Sequence, residues 1–180
     1  MVLKGERLFL TPITEQDTKD IIRWRNQDFV RGRFIYQGLF TKESHEKWLR
    51  TKVASGEVVQ FIIRLNESQR AIGSVYFRDI DSIHQKAEYG IFIGEADCLG
   101  QGYGTDAAGL AMNYAFEEMR LNKLMLRVLA DNKRAIRSYE KAGFVEEGRF
   151  KEDVCIEGRY YDVIFMAVLR GDYMERLSCQ

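Results

Sequence analysis

The chain has few of the residues that mark secretion or metal binding. Its 180 residues include 3 cysteines, 2 histidines and 1 proline. Cys98, Cys155 and Cys179 are too few and too scattered for a disulfide framework or a zinc site, and neither His45 nor His84 has a partner at metal-ligand spacing. We therefore expect structural or surface roles for the cysteines, and no metal ion.

Long hydrophobic runs and an excess of one charge are also missing. No apolar run approaches the roughly 18 to 20 residues that span a bilayer, and the N-terminal segment lacks a signal-peptide core. Lys+Arg 27 against Asp+Glu 27 leaves no net charge, which argues against nucleic acid as a partner. The hydrophobic content of 46% and charged content of 30% are typical of a globular protein. We expect one cytoplasmic domain, residues 1–180, without a membrane partner.

A glycine loop between a strand pattern and a helix pattern is the most informative feature that is present. Glu88–Ile93 is an apolar β-type run, glycines follow at positions 100, 102 and 104, and helical spacing then continues to Arg120. Loop glycines let backbone N–H groups converge, and a helix N-terminus adds unpaired N–H groups and a positive dipole end. Such a site suits a pyrophosphate. The alternative is a tight turn without a ligand.

The loop differs from two better-known phosphate loops. A Walker loop ends in Gly-Lys-Ser/Thr, whereas Gly104 is followed directly by Thr105. The dinucleotide fingerprint requires Gly-x-Gly-x-x-Gly, and Thr105 stands where its third glycine belongs. A third kind of phosphate site is therefore indicated.

A second segment begins with a β-type run at Lys123–Ala130 and continues as a short helix pattern that ends at Gly143-Phe144. With this segment in place, Gly100-Gln-Gly-Tyr-Gly104 resembles the pyrophosphate loop of the GNAT superfamily of N-acetyltransferases. Asn132-Lys-Arg-Ala-Ile-Arg-Ser-Tyr139 through Phe144 resembles the second motif of that superfamily. The resemblance implies acetyl-CoA as the acetyl-donor co-substrate, and a small-molecule amine or a peptide as the acceptor.

The order of the predicted elements fits the same resemblance, which covers residues 3–173. It predicts an α/β fold, a GNAT-like single domain whose mixed, mostly antiparallel central sheet of about seven strands is flanked by helices. The similarity is greatest to a branch that contains spermidine/spermine, ribosomal-protein N-terminal and amino-sugar-nucleotide acetyltransferases. The predicted strands are 7–11, 58–65, 71–78, one that begins at 88, 123–130, 145–156 and 160–169.

The resemblance implies three sets of contacts to acetyl-CoA: the loop amides on the phosphates, a strand backbone on the pantetheine arm, and the second motif. A strand offers its backbone only where its ladder opens, so we expect a bulge or splay at residues 91–93. The family usually carries Gln or Arg where this chain has Leu99, and Gln101 substitutes only in part for that contact. The implied residues are Ile91, Phe92, Ile93, Leu99, Gly100, Gln101, Gly102, Tyr103, Gly104, Thr105, Asn132 and Ser138.

Acetyl transfer to an amine requires a neutral nitrogen, donors for an oxyanion and a proton for the departing thiolate. The resemblance places Tyr139 in the proton-donor role; the alternative is that Tyr139 only packs its helix onto the sheet. Glu88 and Asp79 are the best carboxylates for the base, because a buried carboxylate at Glu88 would have a raised pKa. Pairing of Glu88 with a lysine or arginine, or a water chain as the base, are the alternatives.

The acceptor side is predicted in residues 24–50. Nine basic and four acidic residues lie between Lys19 and Lys52, and such a segment would repel a polyamine and attract an anion. Trp24-Arg-Asn26 and His45-x-x-Trp48 resemble amino-sugar-nucleotide acetyltransferases. The predicted substrate residues are Trp24, Arg25, Asn26, Arg33, His45 and Trp48.

A nucleotide-linked amino sugar is therefore the first prediction for the acceptor, followed by a protein N-terminal amine and then by a polyamine. The alternative interpretation of the charges is a solvated helix face. A non-catalytic acetyl-CoA-binding domain is kept as a function of another class. Exposed edge strands near the C-terminal hairpin predict a homodimer.

Overall fold

The protein is described by a computed structural model for residues 1–178. Its centre is an eight-stranded sheet with the order β1-β2-β3-β4-β5-β6-β8-β7. Every neighbouring pair is antiparallel except β5 and β6, which are parallel. The strands are β1 (Leu3–Lys4), β2 (Leu8–Pro12), β3 (Val59–Leu65), β4 (Ala71–Asp81), β5 (Lys86–Ile93), β6 (Lys123–Leu129), β7 (Val145–Ile156) and β8 (Arg159–Leu169).

The predicted α/β fold is confirmed, and the sheet contains one strand more than the seven that were predicted. The additional strand, β1, has only two residues and pairs Leu3 with Leu10. A two-residue strand is too short to show a periodic pattern, so only its partner in the sheet reveals it. At the opposite edge, β7 carries mostly exposed residues.

Six helices cover the sheet: α1 (Thr18–Asn26), α2 (Asp28–Arg31), α3 (Lys42–Trp48), α4 (Tyr103–Asn113), α5 (Lys133–Ala142) and α6 (Arg170–Ser178). The side chain of Thr41 accepts a hydrogen bond from the backbone N–H of Ser44 and so caps α3. Helix α6 was not predicted; it is held by Tyr173, which packs on Phe116 with ring centroids 5.1 Å apart. Among residues 1–178, no helix combines the length and the apolarity that crossing a bilayer requires.

The two faces of the sheet bury different clusters, because successive side chains of a strand point to opposite faces. On β5, Tyr89 and Ile91 belong to the larger cluster, which includes the apolar faces of α4 and α5. Phe92 points to the other face and packs with Ile21 and Trp24 of α1. Strand β5 therefore separates the side of α4 and α5 from the side of α1 and α3.

The ladder between the parallel strands β5 and β6 is short. It pairs Lys86 with Lys123, Ala87 with Leu124 and Glu88 with Met125, and it ends there. Beyond this point, residues 89–93 of β5 pair only with β4, and residues 126–129 of β6 pair only with β8. The predicted opening of the strand is thus confirmed. It begins at residue 89, two residues before the predicted range 91–93. It leaves backbone groups of β5 free to bind a ligand.

Candidate active site

A cavity of about 1200 Å³ extends from the glycine loop, along the open edge of β5, to the side of α1 and α3. Its volume suits a ligand of cofactor size together with a small second molecule. It is lined by most of the residues that were predicted for the site. Four do not line it: Gln101, Asp79, Trp24 and Asn26.

The glycine loop forms an amide-rich cradle at the N-terminus of α4. Gly100 and Gly102 have positive φ angles of 78° and 84°, which only glycine adopts without strain. The backbone N–H groups of Gly100 through Gly104 donate no hydrogen bond to any residue in 1–178, whereas those of Thr105 and Asp106 bond to the carbonyl of Gly102. Five neighbouring free amides at a helix N-terminus fit a pyrophosphate.

Arg7 fixes this loop from outside the predicted site. Its guanidinium pairs with Asp106 at 2.6 Å, donates to the carbonyl of Gln101 at 3.0 Å and lies 4.9 Å from the ring centre of Tyr103. The side chain of Gln101 bonds instead to the carbonyl of Asp97. Gln101 is therefore turned away from the cavity. In this position its side chain does not support the prediction that it partly replaces the phosphate contact missing at Leu99.

Helix α5 forms the wall that faces this cradle. The side chain of Asn132 accepts a hydrogen bond from the N–H of Ala135 at 3.3 Å, so Asn132 caps α5. The hydroxyls of Ser138 and Thr105 lie 3.4 Å apart and connect α5 with α4 across the cavity. Both predicted contacts of the second motif, Asn132 and Ser138, thus lie beside the glycine loop.

Tyr139 lies on α5 where β5 and β6 separate, and it lines the cavity. Its ring contacts Phe144 edge-on, with centroids 5.9 Å apart. Burial raises the pKa of its phenol, and the nearby phenol of Tyr76 raises it further. Tyr139 is therefore protonated at neutral pH, as a proton donor must be. It also packs against the larger cluster, so the two interpretations of this residue are compatible.

Glu88 is held between two arginines. Arg78 of β4 approaches one carboxylate oxygen at 2.5 Å, and Arg127 of β6 approaches the other at 3.0 Å. The structural pairing that was the alternative to a base role is thus present. Asp79 lies at a bulge between β4 and β5, with a φ of 51°, and its side chain is 72% exposed. The bulge turns Asp79 outward, so the structure does not bring it to the cavity.

Arg25 is the most unusual group on the acceptor side. It is 6% exposed, yet no carboxylate within residues 1–178 pairs with it, and its Nη1 has no hydrogen-bond partner there. Its guanidinium lies 3.4 Å, 4.7 Å and 5.9 Å from the ring centres of Phe34, Phe40 and Phe92. Burial lowers its pKa to about 10. Its Nη2 donates to the carbonyl of Tyr36 at 3.3 Å, and the guanidinium lines the cavity on the side of α1.

The neighbours of Arg25 in the predicted substrate motif have structural roles. Trp24 is fully buried, donates to the carboxylate of Glu95 at 2.8 Å and lies over Gly94, where a Cβ would overlap its ring. Asn26 bonds to both backbone groups of Phe40, at 2.8 Å each, and so fixes the loop 33–40. Trp24 is kept out of the cavity by the burial of its ring, and Asn26 by its hydrogen bonds to the loop backbone. The predicted contact of these two side chains with substrate therefore finds no support.

The other predicted acceptor residues line the cavity, Arg33 among them. His45 is 1% exposed, with its Nδ1 3.1 Å from the hydroxyl of Thr18 and its Nε2 unpaired within residues 1–178. Burial lowers the pKa of His45, so its ring is neutral at pH 7. Trp48 donates to Gln60 at 3.0 Å, and Gln60 in turn donates to Ser74 at 3.0 Å. His45, Trp48 and Gln60 therefore add neutral polar groups beside the charged Arg25 and Arg33 at this end of the cavity.

The cavity residues that reasoning from the sequence missed include Tyr76, Arg78 and Arg127. They lie on β4 and β6, in stretches that read as ordinary strands. The sequence feature that these three share is that each is a polar residue of a strand beside β5.

The cysteines were predicted to have structural or surface roles. Cys98 is buried and Cys155 exposed, both as free thiols, and Cys179 lies outside the described residues. Residues 1–178 contain no group of three His, Cys, Asp or Glu side chains arranged for a metal ion.

The comparisons with known proteins agree with this geometry. A family model described as an acetyltransferase (GNAT) domain matches residues 7–145. The spermidine N(1)-acetyltransferases of Vibrio cholerae serotype O1 and Escherichia coli K12 are 35% identical over 117 residues and 37% identical over 102 residues. These matches cover 65% and 57% of this chain, but less than two thirds of the relatives' own length, 66% and 54%.

A solved structure is similar over almost the whole chain. It is the crystal structure of spermidine N-acetyltransferase from Vibrio cholerae in complex with CoA and spermine. The TM-score is 0.88 with 27% sequence identity, and the match covers 94% of this chain and 99% of that one. Because the family model also spans most of the sequence, this chain belongs to the acetyltransferase (GNAT) domain family.

Proposed function

We propose that this protein transfers the acetyl group of acetyl-CoA to a primary amine of a small molecule, by direct attack within a ternary complex. One observation carries the proposal. A single cavity joins the glycine loop with its free amides, an open strand edge and a protonated tyrosine. Donor binding, oxyanion stabilisation and protonation of the leaving group each have a residue in that cavity. The presence of all three argues against a non-catalytic acetyl-CoA-binding domain.

The division of roles follows from the positions of these groups. The amides of Gly100 to Gly104 bind the pyrophosphate, and the free backbone groups of residues 91–93 bind the pantetheine arm and donate to the developing oxyanion. Tyr139 gives its proton to the sulfur as the carbon–sulfur bond breaks. Asn132 and Ser138 contact the donor from α5. All of these residues except Gln101 line the cavity.

The cationic surroundings reduce the need for a strong base. Arg25, Arg78 and Arg127 all line the cavity near the open edge of β5, and Glu88 pairs with two of them, Arg78 and Arg127. Like charges disfavour the ammonium form of an amine, so the acceptor binds more readily as the neutral nucleophile. Glu88 is engaged by two guanidinium groups, and we infer that a water molecule takes the remaining proton.

The comparisons favour a polyamine as the acceptor over the amino-sugar nucleotide that the sequence put first. Two relatives are named spermidine N(1)-acetyltransferase, and the similar solved structure contains spermine. An acceptor with an anionic group is the second candidate, because the buried Arg25, which pairs with no carboxylate in residues 1–178, would be stabilised by one. A protein N-terminal amine is a third possibility that no contact in the cavity specifically favours.

A test of the function measures thiol release from acetyl-CoA with spermidine, a UDP-linked amino sugar and short peptides with free N-termini. Turnover of spermidine is the expected result, with Arg25→Met leaving its KM unchanged or lowered because a repelling charge is removed. Turnover of the sugar nucleotide alone, with a KM raised by Arg25→Met, would refute the polyamine and support the second candidate. The control is Arg31→Met, since Arg31 pairs with the exposed Asp28 outside this cavity.

A ligand-dependent shift in melting temperature separates the remaining outcomes. Acetyl-CoA that stabilises the protein without turnover of any amine would indicate a domain that binds the donor but does not catalyse. Absence of both turnover and stabilisation would contradict the assignment of the amide cradle to the pyrophosphate.

A further inference from the structure

Tyr76 lies at the point where β5 leaves β6. It is the cross-strand partner of Gly90 in the antiparallel ladder of β4 and β5. A Cβ at Gly90 would overlap the ring and hydroxyl of Tyr76, so the tyrosine lies flat across this glycine. Both residues line the cavity. The ring therefore covers the strand position just before the backbone groups at residues 91–93.

The face on which Tyr76 lies is the acceptor side of the sheet. Side chains of cross-strand partners share a face, so Tyr76 points the same way as Glu88 and Phe92, which alternate with Gly90 along β5. Phe92 belongs to the cluster of α1, and Tyr89 on the opposite face belongs to the cluster of α4 and α5. An acceptor that enters beside α1 and α3 thus meets Tyr76 before it reaches the opening.

The hydroxyl of Tyr76 is free to bind a substrate. It makes no hydrogen bond to any residue in 1–178. The nearby positive charges of Arg78, Arg25 and Arg127 lower the pKa of the phenol, and the negative charge of Glu88 raises it. Burial raises the pKa of this phenol, so it stays protonated and its oxygen accepts a hydrogen bond without carrying a charge. Tyr76 and Tyr139 line the same cavity.

We propose that Tyr76 is a catalytic residue that orients the acceptor amine: its hydroxyl oxygen accepts a hydrogen bond from the amine N–H and directs the nitrogen lone pair at the thioester carbonyl beside β5. The proposal deepens the acetyl transfer proposed above and rests on it. It applies to any primary amine, because only the reacting nitrogen contacts Tyr76. Gly90 is required in this arrangement because any side chain there would displace the ring.

The bonds and protons of the step balance without another reactant. The amine nitrogen forms a bond to the carbonyl carbon, and the carbon–sulfur bond breaks with its electron pair on sulfur. Tyr139 gives its proton to sulfur and recovers one from water, while the nitrogen loses one proton to water. Tyr76 neither gains nor loses a proton; it holds the N–H that remains on the amide nitrogen until attack is complete.

The test compares Tyr76→Phe with Tyr160→Phe, a control on β8 that is 61% exposed and outside the cavity. For Tyr76→Phe we expect kcat/KM for the amine to fall about tenfold or more, as for loss of one hydrogen bond to a reacting group. The dissociation constant of acetyl-CoA, its slow hydrolysis by water and the melting temperature should not change. These three readouts do not involve the amine, so a purely structural defect would move them.

A double-mutant cycle tests the contact with Gly90. Gly90→Ala should lower amine kcat/KM in the natural background, because the new methyl group displaces the ring. The same substitution should have little further effect in Tyr76→Ala, where the ring is absent. Equal effects of Gly90→Ala in both backgrounds would overturn the inferred geometry.

The outcomes distinguish this inference from the function on which it rests. Unchanged amine kcat/KM in Tyr76→Phe, with active natural protein, would overturn the role of Tyr76 alone. Weaker acetyl-CoA binding or faster hydrolysis in Tyr76→Phe would also overturn it, because the residue would then support the donor site. A natural protein that binds acetyl-CoA but acetylates no amine would overturn the proposed function and the role of Tyr76 with it.

Discussion

Tyr139→Phe should separate catalysis from stability. The hydroxyl of Tyr139 makes no hydrogen bond to residues 1–178, and the edge contact of its ring with Phe144 survives the substitution. Removing an unpaired hydroxyl while keeping the ring leaves no cavity and no orphaned partner, so the free energy of unfolding should change by less than about 0.5 kcal/mol. The apparent affinity for acetyl-CoA should also be unchanged.

The effect on kcat follows from proton donation. Loss of a general acid typically costs about 10² to 10⁴ in rate, or about 2.7 to 5.4 kcal/mol of transition-state stabilisation. Burial raises the pKa of Tyr139, which makes its phenol a weaker acid than a free one. A weaker acid supplies less driving force to a thiolate of pKa near 8.5, so we expect the loss at the lower end, about 10²-fold.

The assay is thiol release at saturating acetyl-CoA and amine, combined with thermal unfolding of each variant. Tyr173→Phe is the matched control: this tyrosine also packs on a phenylalanine, Phe116, but it does not line the cavity. A kcat within about threefold of the natural protein would refute the proton-donor role. A fall in kcat together with a lower melting temperature would indicate that packing had been damaged instead.

Two further predictions concern the amide cradle and the buried phenols. Gly102→Val should weaken acetyl-CoA binding about tenfold or more in calorimetric titration, because a β-branched residue is strained at a φ of 84° and its Cβ would lie 3.0 Å from Nη2 of Arg7, which fixes the loop. Gly109→Ala, where a Cβ meets nothing within 4 Å, should leave binding intact, and equal affinities in both variants would contradict the cradle. Burial raises the pKa of Tyr89 well above its ordinary value, so the unfolded chain loses this proton first as pH rises. The contribution of Tyr89 to the free energy of unfolding is therefore complete below pH about 10 and is lost progressively above it. Chemical unfolding between pH 8 and 11 should show a smaller decrease in the free energy of unfolding for Tyr89→Phe than for the natural protein. An identical decrease in both proteins would exclude Tyr89 as the source of the pH dependence.

Local sequence signals predicted the parts of the site that depend on neighbouring residues. The glycines at 100 and 102 carry the positive φ angles that the loop requires, and Asn132 caps the helix that follows it. Such features are encoded within four or five residues, because turn geometry and helix caps involve only nearby backbone groups. The family and the fold class, which rest on the order of these motifs, are confirmed.

Motif spacing was less informative on the acceptor side. Trp24, Arg25 and Asn26 are consecutive, yet the first packs on Gly94, the second lines the cavity and the third fixes the backbone of Phe40. Which face each residue occupies depends on how α1 lies against β5 and the loop 33–40. The net charge of the segment therefore did not show which of its basic groups line the cavity.

The sequence by itself determined the glycine loop, the cap of α5, the order of the elements and the reaction class, since these depend on short-range backbone chemistry and on motif order. Only the tertiary structure decided the state of Glu88 and the place of Tyr76. Glu88 bonds to Arg127, 39 positions away, and Tyr76 lies over Gly90 through strand register. Contacts between distant residues arise when the sheet forms, because register and the parting of β5 from β6 bring them together.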